Sequence, residues 1–82
     1  MPRLREIRVD QLLSIRALAQ EAHVSPSTIY HIEAGRTTPR VAVIRRLAAA
    51  LRVPPGTVEE FRRAMEAAMR PRPRGARGGL RP

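Results

Sequence analysis

The chain has no cysteine, no tryptophan and no lysine, with one tyrosine and one phenylalanine among 82 residues. Without cysteine there is neither a disulfide framework nor a thiolate metal site, and nothing marks a secreted protein. His23 and His31 are the only histidines. They stand across a break with no carboxylate or thiol at ligand spacing, so no metal and no cofactor is expected. No apolar run approaches the roughly 20 residues that span a bilayer, and the N-terminal MPRLREIRVD lacks the apolar stretch of a signal segment. A cytoplasmic protein without membrane contact is expected. Strand patterning is absent too, because no segment alternates apolar and polar residues for long enough, and the fold class expected is all-α. No nucleophile stands beside a base, no glycine-rich loop could cradle a phosphate, and no carboxylate pair suggests a pocket, so enzymatic activity is not expected.

What is abundant is arginine. The 16 basic residues are all Arg, set against 7 acidic ones for a net charge of +9. Arg, Ala and Pro share GC-rich codons, which accounts for part of the excess. The remaining balance favours a polyanionic partner, nucleic acid ahead of anionic lipid. The charge is unevenly placed. Residues 70–82, RPRPRGARGGLRP, hold five Arg and no acid. With one Leu as its only large apolar side chain, this segment cannot offset the entropy of ordering and is expected to be a flexible, disordered basic tail. RPRPRG resembles an AT-hook without its usual core order, and RGARGG resembles RNA-binding Arg-Gly segments. Residues 1–69 are left as a single small domain.

Five helices are expected there. The first, about residues 3–11, buries Leu4 and Ile7, with Leu12 and Leu13 continuing the apolar surface. The second runs over about 14–22 from a Ser14 cap and ends at His23, a residue type that tolerates positive φ. The third, about 25–34, starts with Ser25 as cap and Pro26 in its first turn and ends before Gly35. Thr38-Pro39 repeats the cap-then-proline signal ahead of a fourth helix with Val41, Ile44, Leu47, Ala48 and Leu51 on one stripe and Arg45, Arg46 and Arg52 opposite. After Pro54-Pro55-Gly56 a fifth runs from about Thr57 to Met69, with Glu59–Arg63 and Arg62–Glu66 as pairs on its exposed face.

The second and third helices have the spacing of a helix-turn-helix. Leu18, Ala19 and Ala22 make one apolar face, Val24 occupies the turn, and Ile29 and Ile32 recur on the third helix. Its opposite face then carries Ser27, Tyr30, His31 and Ala34 at spacing suited to a major groove. Arg16, Arg36 and Arg40 flank this face as candidate phosphate contacts, joined by the amide N–H groups that open the second and fourth helices. Two uses are open for Tyr30: contact with the DNA sugar-phosphate, or covering the edge of the core.

Arg8, Leu13-Ser14, Leu18-Ala19, Val24-Ser25, Thr28-Ile29, Ile32-Glu33-Ala34-Gly35, Pro39, Leu47-Ala48, Ala50-Leu51 and Val53, in this order and at these intervals, resemble the DNA-binding domain of phage repressors and Cro, the Xre family. The resemblance covers about residues 4–61. It implies a compact five-helix, lambda-repressor-like domain whose third helix enters the major groove, as a homodimer on a two-fold symmetric operator. By position it places Pro26, Ser27 and His31 at base edges, Ser14 and Thr28 at phosphates, and Arg8 with Glu33 as a buried ion pair. Leu12, His23 and Arg52 stand where the family pattern has glycine. Ile15 replaces a frequent glutamine, and the third helix has no Arg, Lys, Asn or Gln to read a purine bidentately.

The function these features imply is a sequence-specific transcriptional regulator, cytoplasmic and nucleoid-associated, with double-stranded DNA as its partner. Two alternatives stand beside it: the DNA-binding antitoxin of a toxin–antitoxin pair, with a protein partner on the fifth helix or tail, and a sequence-indifferent nucleic-acid-binding protein driven by the Arg tail. The stripe Val58, Phe61, Met65 and Met69 is a candidate dimer surface, since Val58 and Phe61 alone could close the core; its four residues could equally pack within the chain.

Overall fold

The computed structural model describes residues 1–69; the expected disordered tail, 70–82, lies outside the described residues. The described residues form five α-helices without a strand: α1 (Leu4–Asp10), α2 (Ile15–Ala22), α3 (Pro26–Glu33), α4 (Val41–Leu51) and α5 (Glu59–Met69), with a 3-10 turn, Pro55–Thr57, before the last. This is the five-helix, all-α architecture expected from the sequence. None of these helices is long and apolar enough to cross a membrane.

The two serine caps set the ends that matter most for function. Ser14 Oγ accepts a hydrogen bond from the Ala17 amide at 3.0 Å, and Ser25 Oγ accepts one from the Ser27 amide at 3.1 Å. Each satisfies one of the donors a helix start leaves open, a contribution of about 1 kcal/mol. α2 packs on both α3 and α4. Leu18, Ile29, Ile32, Ile44, Leu47 and Leu51 are buried between them, closed over by Leu4, Val58 and Phe61. Phe61 is the only large aromatic side chain in the interior, and its loss to Ala would cost about 3–5 kcal/mol.

All of the first four helices end alike. A residue just past the helix takes a left-handed backbone, directly after α2 at His23 (φ 58°) and α4 at Arg52 (φ 59°), and one residue further on after α1 at Leu12 (φ 60°) and α3 at Gly35 (φ 75°). The amide after it turns back: Leu13 donates to the Arg8 carbonyl at 3.0 Å, Val24 to Ala19 at 3.1 Å, Arg36 to His31 at 2.9 Å and Val53 to Ala48 at 3.1 Å. This closure satisfies carbonyls the helix would otherwise leave unpaired, and a glycine makes it without steric cost. Three of the four sites use a residue with a Cβ instead.

Several boundaries differ from the sequence reading. α4 begins at Val41, not at Thr38-Pro39, and Arg40 precedes it without a side-chain cap. The Pro39 ring is buried, so the chain stays extended until that ring has been seated. Val41 consequently falls in the first turn at 48% exposure and drops out of the apolar stripe. α5 begins at Glu59 rather than Thr57, because Val58 keeps an extended backbone that drives its side chain inward. Leu12 does not extend the core: it is 92% exposed, its left-handed backbone directing it away while Leu13 packs inward. Ile7 is half-buried rather than buried.

Long-range hydrogen bonds hold α1 against the far end of the chain. Glu60 accepts from the Leu4 amide at 2.8 Å, the Glu59 amide donates to the Pro2 carbonyl at 2.9 Å, and Gln11 Nε2 donates to the Leu51 carbonyl at 2.8 Å.

Candidate nucleic-acid interface

With Ile29 and Ile32 turned into the core, the 3.6-residue period of α3 leaves Pro26, Ser27, Tyr30 and Ala34 outside, with Thr28 and His31 half-buried at the flanks. Tyr30 is 50% exposed. Its ring centroid lies 5.6 Å from that of His31, tilted by 58°, and the Arg36 guanidinium sits 5.9 Å from its centroid. The face is polar, with no carboxylate among its exposed residues.

Exposed arginines stand on the segments next to this helix. Arg16 on the first turn of α2, Arg36 in the loop after α3 and Arg40 at the start of α4 are all exposed. Among the described residues, ion pairs involve only Arg8, Arg62 and Arg63. The flanking arginines therefore retain their full charge toward a ligand. Ser14 is exposed while its hydroxyl caps α2, leaving its lone pairs engaged with the helix and its O–H free to donate. The start of α4, where no side chain supplies a cap, presents open amide donors next to Arg40.

Behind the face, Arg8 and Glu33 are joined by two parallel hydrogen bonds, Nε to Oε2 at 2.7 Å and Nη2 to Oε1 at 3.1 Å. Arg8 Nη1 also donates to the Leu13 carbonyl at 2.7 Å. Hydrogen bonding to Glu33 raises the Arg8 guanidinium above its ordinary pKa; burial opposes this and the attraction of the carboxylate charge adds to it. The pair fixes α1 to the last turn of α3 and so sets the angle at which α3 is offered.

Two residues of this region were missed by the sequence reading. Arg5 lines a shallow depression with Arg8, Ile15, Tyr30, Glu33 and Ala34, which brings α1 to the edge of the α3 face. Its position three residues before Arg8 on one helix was the available signal. Arg46 donates from Nη1 to the His23 carbonyl at 3.3 Å, tying α4 to the turn between α2 and α3; nothing in its spacing distinguished it from Arg45.

The proposed dimer stripe divides in two. Val58 and Phe61 are fully buried and unavailable to a partner, Met65 is half-buried and Met69 is 82% exposed. Met65 and Met69 line an open apolar groove with Gly56, Arg62 and Glu66. The two surface pairs of α5 are formed, Arg62–Glu66 at 3.1 Å and Arg63–Glu59 at 3.4 Å, each contributing a few tenths of a kcal/mol.

A family model described as a helix-turn-helix domain matches residues 3–61. No curated protein and no solved structure matches the chain.

Proposed function

The chain belongs to the helix-turn-helix domain family, and on that premise we propose that it is a sequence-specific transcriptional regulator of the phage repressor and Cro type, occupying an operator with α3 in the major groove. The observation that carries this reading is the outward face of α3. Pro26, Ser27, Tyr30 and His31 share it, Arg36 lies over the Tyr30 ring, and Arg16 and Arg40 are exposed on the neighbouring segments with no ion pair among the described residues. A helix presented in this way suits the width of the major groove, and exposed arginines near it are suited to phosphate contact.

In this assignment Pro26, Ser27 and His31 face base edges, with Tyr30 beside them on the same face. Ser14, Arg16, Thr28, Arg36 and Arg40 meet phosphates, and Arg8–Glu33 acts structurally. Discrimination by α3 rests on Ser27 and His31 hydrogen bonds and on apolar contact from Pro26 with thymine methyl groups, because no side chain on α3 can form a purine-specific fork. Repressor action requires only occupancy, which needs no catalytic group. The groove at Met65 and Met69 supplies the contact to a second copy, giving a two-fold protein for a two-fold operator.

Selection of bound duplexes from a random pool by the full chain at physiological salt tests this function. A regulator enriches a defined motif with two-fold symmetry. Binding without enrichment would instead favour the sequence-indifferent reading.

A further inference from the structure

We propose that Tyr30 and Arg36 form one preorganised phosphate clamp, in which Tyr30 is a positioning residue that acts on DNA through Arg36. This deepens the DNA-binding reading and rests on it.

The end of α3 departs from a rule the molecule otherwise obeys. At the ends of α1, α2 and α4 the left-handed residue carries a side chain, and the next residue is apolar and packs against the core: Leu13, Val24 and Val53. Such an apolar residue is the usual companion of this helix closure. At the end of α3 both choices are reversed. The left-handed residue is Gly35, around which a Cβ would meet nothing within 4 Å, and the next is Arg36, which is exposed. Space does not require the glycine, and burial does not use the arginine.

The closure nonetheless fixes where Arg36 starts. Its amide donates to the His31 carbonyl at 2.9 Å, and the Gly35 amide donates to Ile32 at 3.1 Å, so the Arg36 backbone is locked to the last turn of the helix that carries Tyr30. Its side chain then returns over the Tyr30 ring, with the guanidinium 5.9 Å from the centroid. An arginine side chain is therefore held at both ends. A free exposed arginine loses rotamer entropy when it grips a phosphate; one already laid on an aromatic face has lost part of it beforehand. The stack leaves the edge of the guanidinium, where its N–H donors lie, open to an anion. One face of the Tyr30 ring is thereby committed to Arg36 and is unavailable to a base.

A double-mutant cycle on the full chain, binding a random-sequence DNA duplex at fixed salt, tests this. Circular dichroism verifies that each variant is folded, as expected for substitutions at exposed positions. Tyr30→Ala is expected to weaken binding about two- to five-fold, the affinity equivalent of an exposed cation–π contact. Tyr30→Phe, which keeps the ring, should bind like the parent. In the Arg36→Ala background, Tyr30→Ala should have no further effect. Equal losses from Tyr30→Ala in both backgrounds would overturn the clamp by making Tyr30 an independent contact. A loss in Tyr30→Phe as large as in Tyr30→Ala would overturn it in favour of the hydroxyl. Failure of the parent chain to bind the duplex at all would overturn the DNA-binding reading itself, a result separable from either of these.

Discussion

Arg8 and Glu33 stand 25 residues apart in sequence and meet through two hydrogen bonds, with about one-tenth of each side chain left to solvent. Removing either partner strands a buried charge. Arg8→Ala or Glu33→Ala is expected to lower stability by about 3–5 kcal/mol, whereas replacing both by apolar residues of similar volume should cost far less. Urea unfolding of the two single variants and the double variant measures the difference.

The same pair makes a pH prediction. A raised pKa contributes stability that is complete below the ordinary arginine value and is lost only as pH rises through the still higher folded value. The stability deficit of Arg8→Ala relative to the parent should therefore be unchanged between about pH 7 and about pH 10. Paired denaturation curves at the two pH values read this directly.

The helix ends can be improved and worsened in opposite directions. Leu12 holds a left-handed backbone with almost no burial to offset it. Leu12→Gly should stabilise the domain by about 0.5–1 kcal/mol despite the greater freedom of glycine in the unfolded chain. Gly35→Ala should destabilise it by about 1 kcal/mol through backbone strain alone, since no atom crowds the site. Shifts in the urea midpoint at constant slope would register both.

Phosphate and base contacts separate in their response to salt and sequence. Arg36→Ala and Arg40→Ala should weaken binding on all duplexes alike and each reduce the slope of log K against log salt by about 0.9. Ser27→Ala and His31→Ala should change which bases are preferred while leaving that slope intact. Fluorescence anisotropy across a salt series on several duplexes distinguishes them.

Association through α5 is tested at its exposed end. Met69→Glu places a charge in the apolar groove without touching the core, as Met69 is 82% exposed. On the proposed association, the parent sediments as a dimer and this variant as a monomer at unchanged helicity.

How far the sequence could be read follows from the range of the forces involved. The caps at Ser14 and Ser25 were legible because a serine hydroxyl reaches an amide two or three residues away. The face of α3 was legible because Ile29 and Ile32 alone determine which side turns inward. The start of α4 was misread because Thr38-Pro39 has the local chemistry of a helix opening, and only tertiary packing of the Pro39 ring defers it to Val41. The clasp from Gln11 and Glu60 joins residues 40 and 56 positions apart, beyond any local pattern. Likewise, Arg36 was recognisable as a cation near α3, but its place over Tyr30 depends on the backbone reversal at Gly35.

Docking of the outer face of α3 into duplex DNA is read most directly by an NMR titration of the full chain with a selected duplex. Amide shifts are expected to concentrate at residues 14–16, 26–31 and 36–40 while α5 remains unperturbed. Perturbation confined to α5 or to residues 70–82, with α3 silent, would contradict it.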